Sequence, residues 1–229
     1  MTRQEPSQYF SEQPGGTEVR RTITTRIWGR ELTLITAGGV FAADGLDRGT
    51  AVLLRASPVP AGSPRILDLG CGYGPIALAL ALHCPGALID AVDVNERALS
   101  LCRDNAVALG VAPRVRVLRP EEVEPEVRYD EIWSNPPIRI GKQNLHELLL
   151  SWLARLAPDG VARLVVGKNL GADTLQRWLI EQGYTCERAA SAKGFRVLVI
   201  GAQEEPPSSP DAPPSVPTPA SSGDAPPSR

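Results

Sequence analysis

Arg65-Ile66-Leu67-Asp68-Leu69-Gly70-Cys71-Gly72-Tyr73-Gly74 is the stretch whose reading decides the fold of this chain. Its first half, apolar with one Asp, reads as a buried strand over residues 65–69. Three glycines at alternate positions then make a tight loop, and an Ala/Leu-rich segment, 75–83, follows. Glycine lets the backbone bend sharply and lets a ligand approach without interference from a Cβ. A strand, a Gly-rich turn and a helix N-terminus form a nucleotide-type site at the carboxyl edge of a parallel sheet. The spacing is G-x-G-x-G rather than the dinucleotide G-x-G-x-x-G. Pro75 is tolerated at the first helical position, where its missing N–H would have had no intrahelical partner. It also removes a donor that a pyrophosphate would use. The loop therefore suits close backbone packing on a ligand better than phosphate clamping.

Outward from this point strands and helices alternate. Strands are expected at 87–94, 115–118, 130–134, 161–167, 185–190 and 195–201, and helices at 96–109, 142–156 and 172–182. With strand 65–69 this gives a doubly wound, mostly parallel, seven-stranded sheet with helices on both faces. Only Lys193-Gly194 separates the last two strands, so the last strand runs antiparallel. Segment 76–82 alternates Leu and Ala, a period that also suits a strand. Alanine's helix propensity and the preceding Gly turn favour a helix. Asn95 is placed to cap helix 96–109 and Gly110 to end it. Leu145, Leu148, Leu149, Trp152, Leu153 and Leu156 form one apolar stripe on helix 142–156. Upstream, residues 19–27 and 31–36 read as a hairpin around Trp28-Gly29-Arg30, followed by a short helix at 51–55.

Four segments result: a loose N-terminus (1–18), a hairpin and short helix (19–60), the ligand-binding domain (61–202) and a Pro-rich tail (203–229). The tail is Pro, Ser, Ala and Asp with almost no large apolar residue, a composition that cannot offset its ordering entropy. Its four acidic residues and one arginine sum to −3 against a formal net charge of −2 for the whole chain, leaving the remainder near +1. That balance neither demands nor excludes a nucleic-acid partner. The four cysteines are scattered, without metal-ligand spacing, and read as reduced thiols of a cytoplasmic protein. No apolar run reaches membrane length and no N-terminal segment resembles a signal peptide.

Two further motifs carry chemistry. Asp93 ends the second strand of the sheet, where a carboxylate can accept both hydroxyls of a ribose. Ser134-Asn135-Pro136-Pro137 ends the fourth. Two prolines deny this backbone its N–H donors and hold it extended. The Asn135 side-chain oxygen and the Pro136 carbonyl are then acceptors at the carboxyl edge, suited to two hydrogen bonds from an –NH2 group. Such a clamp orients an amine lone pair for attack.

Together these features resemble the class I S-adenosylmethionine-dependent methyltransferases, a Rossmann-like fold. More narrowly they resemble the small-domain methyltransferase family, which includes ribosomal RNA guanine-N2 methyltransferases. The resemblance rests on Asp68 to Gly74, Asp93, Asn135-Pro136-Pro137, Gly39-Val40-Phe41 and Leu46-Asp47-Arg48-Gly49-Thr50, and covers residues 19–201. It implies S-adenosyl-L-methionine as cofactor. Gly70, Cys71, Gly72 and Gly74 would pack on its methionyl part, with Asp68 near its amino group and Asp93 on its ribose. Glu121 would lie at the adenine and Phe41 would close over the cofactor. Asn135, Pro136 and Pro137 would hold the target amine, with RNA, most readily ribosomal RNA, as the partner. Two departures stand out. Related enzymes usually carry a base-stacking aromatic after the two prolines, where this chain has Ile138. The guanine enzymes commonly have an additional N-terminal domain, where this chain has a hairpin. RNA docking would fall to Ile138, Arg139, Lys142 and Lys193, with Arg20, Arg21, Arg26 and Arg30 of the hairpin.

The implied reaction is direct methyl transfer to an amine nitrogen, with no metal and with His83 and His146 as bystanders. A base target must be single-stranded or flipped out to reach the clamp. A protein glutamine or a small amine would suit the same clamp. A catalytically silent cofactor-binding module that uses the tail for interaction is a third reading. A nicotinamide oxidoreductase is disfavoured by the glycine spacing.

Overall fold

The structure, a computed structural model, describes residues 19–203. The readings of 1–18 and of the Pro-rich tail lie outside the described residues, except that Gln203 closes the last strand.

The element order is β1 (Arg20–Ile27), β2 (Arg30–Ala37), α1 (Arg48–Ala56), β3 (Arg65–Leu69), α2 (Pro75–His83), β4 (Leu88–Val92) and α3 (Glu96–Ala108). Then come β5 (Val115–Leu118), β6 (Tyr129–Ser134), α4 (Lys142–Leu153), β7 (Leu156–Gly167), α5 (Ala172–Glu181), β8 (Tyr184–Ala192) and β9 (Phe195–Gln203). Strands β3 to β9 form one seven-stranded sheet in the order β5-β4-β3-β6-β7-β9-β8. The pairs β3–β4, β3–β6, β4–β5 and β6–β7 are parallel, and β9 is antiparallel to both β7 and β8. This is the expected doubly wound sheet with its antiparallel last strand. The parallel strands direct the Gly turn, the Asp93 end and the Asn-Pro-Pro end to one edge.

The hydrophobic interior lies on both faces of the sheet. One face packs α1, α2, α3 and the hairpin, with Ile66, Trp133, Val165 and Val197 turned toward them. The other packs α4 and α5 against Leu67, Leu69, Ile132, Leu164 and Leu198. The ambiguous segment 75–83 is a helix, and its alternation is explained by burial: every residue from Pro75 to Ala81 is buried. A helix enclosed on all sides has no polar face, so no helical period survives in its sequence.

The hairpin belongs to this core rather than to a separate lobe. Its register runs from Arg20↔Ala37 to Ile27↔Arg30, with Ile27, Leu32, Leu34 and Ala37 buried against the helices. The turn residues Trp28 and Gly29 both have positive φ, +43° and +81°, as a two-residue hairpin turn of this hand requires. A tryptophan there is strained, and its ring is held edge-on by His83 at 5.2 Å and Trp133 at 6.2 Å between centroids. Asn105 of α3 fastens the hairpin from within. Its Oδ1 accepts from Ile35 N (2.7 Å), and its Nδ2 donates to Ile35 O (2.8 Å) and Tyr73 O (3.0 Å). One buried amide thus stands in for a neighbouring strand and ties the hairpin to the Gly loop.

Helix α4 is shorter than its apolar stripe suggests. It ends at Leu153, and Leu156 opens β7. Pro158 lies just ahead, and helices end before the residue preceding a proline. The intervening turn presents Arg155 O to Tyr129 N at 2.9 Å, which starts the pairing of β6 with β7.

Candidate active site at the carboxyl edge of the sheet

A cavity of about 560 Å³ opens at the edge where β3, β4, β6 and β7 end, within the range of about 300–1,000 Å³ usual for small-molecule sites. Its floor is the Gly loop. Gly70, Gly72 and Gly74 have φ of +74°, +57° and +93°, so side chains at these three positions would be strained. At Gly74 packing forbids one as well: a Cβ would stand 2.7 Å from Cys102 Sγ and 2.9 Å from Leu78 Cδ1. At Gly70 and Gly72 a Cβ would meet nothing, so the bare backbone faces the opening.

Asp93 holds this loop. Its Oδ2 accepts from Gly72 N (2.8 Å) and its Oδ1 from Asn95 N (2.9 Å). Burial pushes its carboxyl up, and these N–H donors pull it back. Asn95 caps α3 through Ala98 N at 3.2 Å and donates from Nδ2 to Gly39 O at 3.1 Å. The Gly38-Gly39 turn is thereby fixed, which places Val40 and Phe41 in the cavity wall. Val40 is buried and Phe41 is 44% exposed at the rim.

Asp68 sits behind the loop. It is fully buried under α2, and its Oδ2 accepts from Ala77 N at 2.9 Å. It is absent from the cavity wall, and its Oδ1 is buried without a hydrogen-bond partner. Desolvation pushes its carboxyl from 3.8 up to about 7. The sign follows from linkage: the unfolded chain releases this proton first. This carboxyl's contribution to stability is therefore full below about pH 4 and is lost as pH rises toward 7. Asp68→Asn keeps an acceptor for Ala77 N–H and has no charge to bury. Its melting temperature relative to wild type should rise between pH 4.5 and pH 7.5, by a stability difference of about 3 kcal/mol. A difference that stays flat across that range in thermal melts would contradict a charge cost at Asp68.

On the other side of the cavity stands the Asn-Pro-Pro end of β6. Asn135 and Pro136 line it beside Pro137 and Ile138. Asn135 Nδ2 donates to Asp47 Oδ1 (2.6 Å) and to Thr50 Oγ1 (3.0 Å). Asp47 also caps α1, accepting from Thr50 N at 2.9 Å. The backbone departs from the extended form expected of two prolines. Pro137 has φ −74° and ψ +74°, the centre of an inverse γ-turn, and Ile138 N donates to Pro136 O at 2.8 Å. The Pro136 carbonyl is therefore not a wholly free acceptor; one lone pair is taken and one is left for a ligand.

The remaining expected residues fall in different places. Cys71 lines the cavity and is buried, its thiol pushed up by burial and by neighbouring Cys102. Glu121 does not line it. It is exposed in the Pro120–Glu122 turn, with its Oε1 3.2 Å from Arg119 Nη1, and Pro120 is the member of that turn in the wall. Lys142 is exposed and borders a smaller neighbouring cavity with His146 and Thr174. Lys193 is exposed in the β8–β9 turn, where Gly194 O accepts from Lys168 N at 2.8 Å, so Lys168 joins it at this edge. Arg139 lies on the short turn Ile138–Ile140.

Three of the four hairpin arginines are otherwise engaged. Arg20 pairs with Asp104 at 2.7 Å, Arg21 with Asp44, and Arg30 donates to Leu82 O at 3.1 Å. Arg30 lies at the C-terminal end of α2, whose other end is the Gly loop. That places the hairpin tip one helix length, roughly 13 Å, from the loop.

Sequence reasoning missed Phe195, Trp152, Leu148 and Leu170 in the wall, and it quoted Asp47 and Thr50 without a role. Only the Lys193-Gly194 turn signals that Phe195 begins a strand at this edge. A Cβ on Gly49 would lie 3.0 Å from Phe195 Cε1, so that glycine makes room for the ring.

A seven-stranded sheet of this order, with a ligand-sized cavity over a G-x-G-x-G turn, is a Rossmann-like methyltransferase architecture. The sequence pattern of the methyltransferase small domain matches residues 31–199, and the chain belongs to that family. It is 31% identical to the uncharacterized protein YbxB of Bacillus subtilis (strain 168), over 83% of this chain and 96% of that one. It is 32% identical to the ribosomal RNA small subunit methyltransferase C of Shewanella loihica, over 65% of this chain and 44% of that one. A T. thermophilus 16S rRNA N2 methyltransferase, solved in complex with AdoMet and guanosine, superposes with a TM-score of 0.70 at 26% identity. The match covers 83% of this chain and 52% of that one. The chain thus spans about half the length of the rRNA methyltransferases it matches. Among the described residues no helix is long and apolar enough to cross a membrane, and no cluster of His, Cys, Asp or Glu is arranged to hold a metal ion.

Proposed function

We propose that this protein is an S-adenosylmethionine-dependent N-methyltransferase acting on an exocyclic amine of a nucleobase, guanine N2 of ribosomal RNA. The observation that carries this reading is the meeting, in one cavity, of the Gly loop with the Asn135 amide and the open lone pair of Pro136. Asn135 and Pro136 bring acceptor groups to the wall where an amine would enter, and a bare backbone floor lies where a cofactor would.

The residues present fit that cofactor. Gly70 and Gly72 leave open space where side chains would stand. Asp93 is a carboxylate in the same wall, able to take a ribose hydroxyl beside the N–H groups it already binds. Phe41 covers the mouth, and Pro120 rather than Glu121 offers a flat apolar surface for a purine. When bound, S-adenosylmethionine supplies an electrophilic methyl group and departs as the thioether. The chain's own part is orientation. Two acceptors hold the –NH2 hydrogens so that the nitrogen lone pair points along the transfer axis, and one N–H proton leaves for solvent after the N–C bond forms. No side chain is needed as a strong base.

A planar base suits the walls. Ile138 supplies an aliphatic surface, and Phe195, Leu170 and Trp152 supply apolar area elsewhere around the same cavity. Phe195 offers the aromatic face that position 138 lacks. Lys142, Lys168 and Lys193 stand exposed around this edge, suited to phosphates of a strand leading to the cavity. Support from the solved relative is that it holds AdoMet and guanosine together.

The test is incubation of the purified protein with labelled S-adenosylmethionine and ribosomal RNA from a strain lacking its gene, followed by digestion to nucleosides. Label in N2-methylguanosine is the expected result. Label confined to protein, or to another nucleoside, would overturn the assignment.

A further inference from the structure

We infer that Asp47 is a positioning residue for catalysis: it fixes which end of the Asn135 amide faces the target amine. The inference deepens the proposed function. An Asn side chain is nearly symmetric in shape, and its two ends do opposite things. The Oδ1 end accepts from an –NH2 group, whereas the Nδ2 end would set donor against donor and repel it. Something must distinguish the ends. The Asp47 carboxylate can only accept, and its Oδ1 lies 2.6 Å from the Asn135 amide. The end facing Asp47 is therefore the Nδ2 end, and Oδ1 is turned away. Thr50 Oγ1, 3.0 Å from the same nitrogen, takes the second N–H. Both amide protons are spoken for. The Thr50 hydroxyl could donate to a rotated amide as readily as it accepts, so the preference lies with Asp47, against whose carboxylate a rotated amide would set its oxygen.

The device is built from distant parts of the chain. Asp47 and Asn135 are 88 positions apart. Asp47 is itself held as the N-cap of α1, where it accepts from Thr50 N at 2.9 Å. That helix is buried on one side, with Val52, Leu53 and Leu54 in the core, so the carboxylate is mounted on a fixed element. Asp47 and Thr50 also line the cavity. The separation of roles is plain: Asn135 touches the substrate amine, and Asp47 acts through Asn135.

Asp47→Ser is the discriminating change. Ser caps a helix about as well as Asp does, and its hydroxyl donates as readily as it accepts, so it selects neither end of the amide. An Asn would instead keep the one oxygen that accepts from both Thr50 N and Asn135 Nδ2. Fold and cofactor affinity should stay close to wild type, while the amide at 135 loses the partner that selects its orientation. We expect kcat to fall 10- to 100-fold, with the Kd for S-adenosylmethionine unchanged within about twofold. In an Asn135→Ala background the same Asp47→Ser change should have no further effect on kcat, because the group it acts through is gone. An equal drop in both backgrounds would overturn the inference, as would a fall in cofactor affinity that parallels the fall in kcat. A second measurement needs no substrate. The Asn135 side-chain –NH2 resonances, assigned by their loss in Asn135→Ala, should exchange slowly with solvent in wild type and rapidly in Asp47→Ser. Fast exchange in wild type would overturn the inference. Slow exchange in a wild-type protein that methylates no RNA would support Asp47's role and overturn the substrate assignment instead.

Discussion

Asn135→Ala is expected to lower kcat for methyl transfer by about 100- to 1,000-fold while leaving S-adenosylmethionine affinity within about twofold of wild type. The magnitude is that of removing one preorganised hydrogen-bonding group aimed at the reacting atom. The asymmetry between kcat and cofactor binding follows from where the residue sits. Asn135 is at the end of β6, bonded to Asp47 and Thr50 of the α1 region. The loop that would carry the cofactor is anchored by Asp93 and Asn105 instead. Removing the amide therefore leaves the floor of the cavity intact. Stability should change little, because Asp47 keeps its bond to Thr50 N and α1 stays capped. Single-turnover kinetics with saturating cofactor, beside calorimetric titration of the cofactor, separates the two quantities. Turnover near the wild-type rate would remove the amine clamp from the mechanism.

That expectation rests on a motif visible in the bare sequence, as does most of the fold. Wherever a signal was local, it was legible. The Gly turn between a buried strand and a helix, the Asn95 cap, and the two-residue Lys193-Gly194 connection each specify their geometry within a few residues. The parallel sheet followed from their alternation. What stayed hidden depended on contacts remote in sequence. Helix α2 could not be told from a strand by period, because burial on every side erased the period. Glu121 was expected in the cavity and instead faces Arg119, since the turn Pro120–Glu122 directs Pro120 inward. The hairpin arginines form a basic cluster on paper. Folding distributes three of them among Asp104, Asp44 and the Leu82 carbonyl. Phe195 and Asp47 reach the cavity only through tertiary packing. The two prolines were legible as donors removed, but not as a γ-turn that occupies part of the Pro136 carbonyl.

Asp93 carries the second large effect, and here the expected loss is in cofactor binding rather than in turnover. Its carboxylate does two jobs at once. It accepts from Gly72 N at 2.8 Å and from Asn95 N at 2.9 Å, so it sets both the loop and the start of α3. It also lines the cavity, where its remaining lone pairs can meet a ribose hydroxyl. Asp93→Ala removes every one of these acceptors. Gly72, at φ +57°, is then free to relax from the shape that exposes its backbone to the ligand. Hydrogen bonds to a charged group contribute about 1.5–3 kcal/mol each. Losing the ribose contact and part of the preorganisation should weaken S-adenosylmethionine binding by on the order of 100-fold, roughly 3 kcal/mol. Asp93→Asn keeps one side-chain acceptor and should fall between Ala and wild type. Calorimetry on all three proteins reads the order directly, and NAD titrated beside S-adenosylmethionine tests the ligand class in the same instrument. Equal affinity of wild type and Asp93→Ala for S-adenosylmethionine would mean that the carboxylate is only a turn anchor. Tighter binding of NAD by wild type would mean that the Gly loop serves a dinucleotide after all, despite Pro75 at the position where a pyrophosphate needs an N–H.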